Sequence, residues 1–453
     1  MGGFSSTLAQ QARKSNLISV IGTTGVGKSK LSVSLALKLN GEIINGDSMQ
    51  MYKGLDTMTN KHPLEERFGV EHHLLGHIDD LTAQYTVKQF ETEAEAVVDK
   101  IERERRKLPI LVGGTHYYIQ SFLFTNKTVA PERELTSQEA EFLETAETKE
   151  IFEKLKELDP VVSQKFHPRD RRKLATALKV CFTTSRRASD IYKEQSAPTT
   201  VNQSLTRYRN LVFWLWCEPD TLDTRLDARV DTMLERGNLL GEVKQMSDLY
   251  RTLDPPPSME TGVWQVIGFK EFLPFVSSQA EDDKVNGLED MKRVTRKYAD
   301  KQVRWIRKRM LAPAAEAGDD ATIVVLDATD LSKWKENVED KAVEISRAFL
   351  NGESIPQSAR APAHLSHLLQ LEDTTQPGKG KWEPEKWKHY ECDLCVVDGE
   401  KFVCLGEEQW KTHLRQKRHV KRVKRIKEQE AFERWKAKKA AEAQTTEEYK
   451  QDP

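Results

Sequence analysis

Residues Gly22 to Ser29 read Gly-Thr-Thr-Gly-Val-Gly-Lys-Ser and fill every fixed position of the phosphate-loop pattern G-x-x-x-x-G-K-[ST]. Before them stands Leu17-Ile18-Ser19-Val20-Ile21, a short β-branched run that predicts a buried strand. After them Leu31, Val33, Leu35, Ala36 and Leu39 recur at helical spacing. Strand, glycine loop and helix in that order predict a parallel α/β core, with a ligand at the strand's C-terminal end. Glycines let the backbone close around a phosphate, and the helix N-terminus faces the anion. Gly22, Thr23, Thr24, Gly25, Val26, Gly27, Lys28 and Ser29 are therefore the candidate phosphate site, and the loop by itself does not say which phosphate compound it holds. Lys28 supplies mobile charge there, and Ser29 is the expected Mg²⁺ ligand.

Further strands are predicted at Gly41–Asn45, Leu108–Val112, Asn210–Cys217 and Thr322–Asp327, with helices between them. The rhythm breaks between 126 and 210. Residues 131–150 hold seven glutamates against Arg133 and Lys149, and the stretch beyond is helical in pattern. We read 126–210 as a helical insertion between a first core segment (17–125) and a second (211–350). Lys165, His167, Arg169, Arg171, Arg172 and Lys173 gather at one turn of it. Composition leaves nucleic-acid contact and a solvated helix start equally open there. Residues 1–16 read as a tail, 351–381 as a Pro/Gly/Ser/Gln-rich linker, and 431–453 as a charged C-terminal tail.

The net charge is −1, so any nucleic-acid affinity must come from local patches. Three of the five cysteines fall between 392 and 404, which suits a metal site and not a secreted disulfide framework. Cys392-x2-Cys395 is followed after 17 residues by His413-x5-His419. That spacing can converge on tetrahedral Zn²⁺, with Cys404 and His389 as possible substitutes, and makes 382–430 a zinc finger. Gln409–Lys427 then carries nine Lys/Arg and no acid, which favours phosphate backbone over base reading. No apolar run approaches the roughly 18 residues of a membrane span. A cytoplasmic monomer is expected. The N-terminus leaves a mitochondrial presequence open, and the basic stretch a nuclear-import signal.

Asp47-Ser48-Met49-Gln50-x-Tyr52, with Asp56, Thr59 and Lys61, resembles the signature of tRNA dimethylallyltransferases (isopentenyltransferases). Gly113-Gly114-Thr115-x-x-Tyr118 is similar to the same family's G-G-T-x-x-Y segment. So are Arg229-Val230-x-x-Met233, the block from Gly262 to Glu271, and Thr295-Arg296-x-Tyr298-Ala299-x-x-Gln302-x-x-Trp305. With the loop, six blocks stand in the family's order across residues 17 to 310. The finger resembles the U1/matrin type found on the eukaryotic branch.

The resemblance implies transfer of a dimethylallyl group from its diphosphate to N6 of the adenosine 3′ of the tRNA anticodon. Its partners are then dimethylallyl diphosphate and the anticodon stem-loop, with no membrane. It implies Asp47 as general base, Thr24 near the reacting centre, and Arg229 on the leaving diphosphate, with Arg225 as the fallback. It places the target base on Asp47, Ser48, Met49 and Gln50, and tRNA on Arg172, Lys173, Leu174, Ala175 and Thr176. Bacterial members often carry Arg where this chain has Thr176. Tyr117 and Tyr118 either line a prenyl channel or pack helix on strand. The basic face of 292–309 is expected to meet phosphate or tRNA. A P-loop kinase or an adenylate isopentenyltransferase is the rival reading. The basic insertion and the finger speak against a free-nucleotide acceptor.

Overall fold

The computed structural model describes residues 14–125, 128–129, 131–196, 205–371, 382–397 and 399–448. Most of the predicted N-terminal tail and the end of the predicted linker lie outside them. Six strands form one parallel sheet: β1 (Asn16–Gly22), β2 (Gly41–Asn45), β3 (His72–His73), β4 (Leu108–Val112), β5 (Arg209–Trp216) and β6 (Ala321–Asp327). Their spatial order is β3-β2-β4-β1-β5-β6. Five of the six are the predicted strands, within a residue or so at each end. The two-residue β3 is too short to leave a periodic signal. Every residue of β1 after Asn16 is buried, as a strand covered on both faces requires.

One face is covered by the phosphate-loop helix (Lys28–Leu39) and a late helix (Lys341–Leu350), through Leu31, Leu35, Val343 and Phe349. The other is covered through Phe90, Val98, Ile119 and Phe122, on helices Val87–Asp99 and His116–Leu123. A third cluster joins Tyr52, Met58, Val230, Met246, Trp264 and Phe272. It ties the segment after β2 to helices Pro219–Glu235, Leu239–Thr252, Phe269–Ser278 and Glu281–Trp305. The long helix Glu281–Trp305 continues through a π-helical turn to Met310.

The chain divides into two compact units, one from Met1–Thr128 with Pro198–Lys379, the other from Val129–Ala197 with Gly380–Pro453. The second unit thus joins the insertion to the C-terminal module. The insertion has its own core, built on Ile151, Leu155, Leu174 and Leu178. The module pairs β7 (His389–Val397) with antiparallel β8 (Glu400–Leu405), then adds helices Gly406–Leu414 and Lys417–Glu448. Residues 431–448, read from composition as a tail, continue the last of these helices.

Candidate active site and metal centre

The strand order explains the site. β4 lies between β2 and β1, so their C-terminal ends carry Gly46-Asp47, Gly113-Gly114 and the phosphate loop side by side. Gly25 and Gly27 hold φ of 78° and 95°, where a Cβ is strained. A Cβ on Gly27 would also lie 2.6 Å from the Trp334 ring. No side chain caps the loop's helix and no acid stands in its first turn, so its amides are left for an anion.

Lys28 Nζ donates to the Thr23 carbonyl at 2.6 Å. Burial lowers its pKa to about 8, against the raising effect of Asp47, while Arg229 adds to the lowering. Burial raises the Asp47 pKa above the usual carboxylate range, opposed by Lys28 and by amides of Met49, Gly114 and Gln50. Asp47 Oδ1 accepts from the Met49 amide at 3.1 Å. A Cβ on Gly114 would stand 3.0 Å from Asp47 Oδ2 and 3.8 Å from Lys28 Nζ. Base, lysine and backbone therefore meet around one glycine.

Arg229 comes from the helix Pro219–Glu235, whose Leu226 packs against Gly25. Its Nη1 stands 3.7 Å from the Cβ position of Gly25. Its Nε and Nη1 are shut off from solvent with no partner among the described residues, and burial lowers its pKa to about 10. Asp227, two residues earlier on the same helix, binds Arg296 and does not pair with Arg229. Arg225, the fallback, turns to the end of β6 and donates to the carbonyls of Ala328, at 2.8 Å, and Thr329. A guanidinium with orphaned N–H groups beside a phosphate loop fits an anionic leaving group.

Ser48 bonds Thr115 Oγ1 through both its amide and its hydroxyl, each at 3.0 Å. Gln50 donates to the carbonyls of Thr59 and Asn60, and Met49 is half-buried beside it. Tyr118 stacks on Phe90 and donates to the Tyr85 carbonyl, so it packs helix against helix. Tyr117 is 39 % exposed, edge-on to Trp305. Gln302, whose block suggested a role on a basic face, is 3 % exposed and points inward to the loop. Buried Thr295 and Ala299, at i−7 and i−3 from it, were the periodic signal for that orientation. His116 was not singled out from the sequence. Burial beside Lys28 holds its imidazole neutral, with a pKa near 3.

On the insertion, Leu174 lies in the core, Ala175 is half-buried, and Arg172, Lys173 and Thr176 are exposed. Lys173 bonds Asp170 at 2.5 Å, and Thr176 donates to the Arg172 carbonyl. Much of the basic turn serves the fold. Lys165 Nζ lies 5.0–5.9 Å from the rings of Phe166, Tyr192, Trp382 and Trp387. His167 meets the Val403 carbonyl at 3.1 Å, Arg169 donates to those of Val397 and Lys401, and His389 meets that of Phe166 at 2.9 Å. Arg171 is spent on the carbonyls of Leu143, Glu144 and Ala146, at the end of the helix Ser137–Thr145. The turn is thus the seat of the C-terminal module. Replacing Arg169 with Ala is expected to speed amide hydrogen exchange in β8 about tenfold, since a charged hydrogen bond contributes about 1.5–3 kcal/mol and less where half-exposed. Unchanged exchange there would show that the seat does not depend on Arg169.

Cys392, Cys395, His413 and His419 offer ligand atoms within 4.8 Å of one another, all four residues buried. Both ring nitrogens of His413 lack a partner among the described residues, so the cluster fits a metal ion. The ring of His413 is stacked between Phe402 and Trp410, which holds its plane. The alternative ligands are placed elsewhere: His389 on Phe166, and Cys404 buried but outside the cluster.

The parallel sheet, the loop and the acid and arginine beside it define a P-loop α/β enzyme built for group transfer at a diphosphate. Residues 50–309 match the IPP transferase family. The chain is 43% identical over 430 residues to the tRNA dimethylallyltransferase of Saccharomyces cerevisiae, covering 93% of this chain and 95% of that one. It is 31% identical over 423 residues to that of Homo sapiens, covering 89% and 85%. A solved structure of a eukaryotic dimethylallyltransferase acting on tRNA matches with a TM-score of 0.79 at 42% identity, covering 93% of this chain and 100% of that one. The chain belongs to the IPP transferase family.

Proposed function

We propose that this protein transfers a dimethylallyl group from dimethylallyl diphosphate to N6 of the adenosine 3′ of the tRNA anticodon, releasing diphosphate. The observation that carries the reading is the meeting of Asp47, Lys28 and Gly114 beside a loop faced by Arg229, whose Nε and Nη1 have no partner among the described residues. The amine lone pair is delocalised into the adenine ring, so the nucleophile needs a base as the bond forms. Asp47 takes the N6 proton. The new N6–C1 bond replaces the C1–O bond, whose electron pair leaves on the diphosphate. Lys28, Arg229 and the loop amides other than that of Thr24, which Gln302 engages, receive that growing charge. Thr24 sits in the loop beside the reacting carbon. A Mg²⁺ ion held by Ser29 and the diphosphate would neutralise further charge. The base is flipped out of the anticodon loop to reach Asp47, with Ser48, Met49 and Gln50 beside it.

The thiolate and imidazole donors of the C-terminal cluster suit Zn²⁺. The finger, Arg172, Lys173 and Thr176 serve tRNA binding in this reading, and the working form is a cytoplasmic monomer. The second half of the long helix contributes too. Its first-half cations are paired, Lys292 with Asp231 and Arg293 with Asp290. Lys297, Lys301, Arg304 and Lys308 share one exposed face and have no ion pair among the described residues. Each removed by Ala is expected to lower the slope of log affinity for tRNA against log salt by about 1, across tRNA sequences alike. A slope that does not move would remove this face from the interface.

The test incubates the protein with radiolabelled dimethylallyl diphosphate, Mg²⁺ and either tRNA or AMP. Label on tRNA is the expected result. Label on AMP alone would make it an adenylate isopentenyltransferase. Tight ATP binding with no prenyl transfer would return the loop to a kinase.

A further inference from the structure

Gln302 stands at the middle of a hydrogen-bonded bridge between the two reacting halves of the site. Its side chain is buried, and both ends of its amide are engaged across more than 180 residues of sequence. Oε1 accepts the Thr24 amide N–H, inside the phosphate loop, at 2.8 Å. Nε2 donates to the Gly114 carbonyl at 2.9 Å. The N–H of the same Gly114 faces the Asp47 carboxylate. Gly114 admits no slack, because a Cβ there would lie 2.7 Å from Gln302 Nε2 and 3.0 Å from Asp47 Oδ2. The next residue, Thr115, grips Ser48 by two hydrogen bonds. One unbroken path therefore runs from Thr24 through Gln302 and Gly114 to Asp47.

We propose that Gln302 is a positioning residue that sets the separation between the donor loop and the acceptor loop, and so between Thr24 and Asp47. This rests on the prenyl-transfer reading above. The Thr24 amide is spent on the protein, so the loop's geometry is set before a diphosphate arrives. The carbon and nitrogen that join must come within about 3–3.5 Å in line, and a 1 Å error costs about 100-fold in rate. Only a primary amide of this length both accepts from one loop and donates to the other. A carboxylate loses the donor, and Asn is one carbon too short to span the gap.

The experiment replaces Gln302 with Met, an unbranched apolar side chain of similar length, and separately with Asn. Single-turnover transfer to tRNA is measured beside calorimetric affinities for dimethylallyl diphosphate and for tRNA, with a thermal melt of each variant. The expected result is a rate about 100-fold below the wild type, with both affinities within about threefold and the melt retained. A folded variant that transfers within about threefold of the wild type overturns the proposal. So does a loss carried wholly by donor affinity, which would make Gln302 part of the binding loop. Failure of both variants to fold overturns it too, since Gln302 would then be a packing residue. Wild-type protein run alongside separates the two readings: absence of transfer there defeats the assigned function itself.

Discussion

Asp47→Asn is expected to lower the transfer rate by about 10²–10⁴, the range a positioned general base contributes, while dimethylallyl diphosphate still binds. Asn keeps an oxygen to accept from the Met49 amide, so the turn after β2 is preserved, while the oxygen beside Gly114 is replaced by an amide that can take no proton. The pH profile provides a second reading of the same residue. Asp47 acts deprotonated, and burial raises its pKa. The rate should fall as pH drops through a value above the ordinary carboxylate figure of about 3.9. That acid limb should be absent from the residual activity of the Asn variant. Near-normal transfer by Asp47→Asn, or an acid limb that survives in it, would remove Asp47 from the base role.

Arg229→Gln is expected to cost about 10²–10³ in transfer rate, the loss typical when one preorganised donor is taken from developing charge. Removing a cation whose Nε and Nη1 have no partner among the described residues should leave the fold intact. Arg225→Gln provides the contrast. It breaks the bonds to Ala328 and Thr329, so it should lower stability by about 1–3 kcal/mol with a much smaller effect on the chemical step. Two arginines one helical turn apart would thus separate chemistry from scaffold. Equal losses of rate in both variants, at equal stability, would show that the assignment of roles is wrong.

The phosphate loop was legible in the sequence because its chemistry is local: strand, glycines, lysine and helix lie within 25 consecutive residues. The metal quartet was legible for a related reason, since ligand spacing encodes the convergence directly. Asp47 and Arg229 entered through two further blocks that resemble a known family, Asp47-Ser48-Met49-Gln50 and Arg229-Val230-x-x-Met233. The neighbours of those residues were not legible. Nothing in the spacing of Asp47, Gly114 and Gln302 says that they touch.

That proximity was decided by the tertiary structure. β4 inserts between β1 and β2, and a helix from the far end of the core lays Gln302 across the gap. The same holds for the basic turn of the insertion. Composition left Lys165, His167 and Arg169 open between RNA contact and solvent, and packing turned them toward the C-terminal module instead. A cation's partner depends on which backbone carbonyls and rings the fold brings to it, and those come from distant parts of the chain. What the sequence determined by itself was therefore each element's local chemistry: a diphosphate cradle, a metal cluster, a parallel core. What only the tertiary structure decided was which of those groups face each other, because hydrogen bonds and ion pairs act over a few ångströms in space and not along the chain.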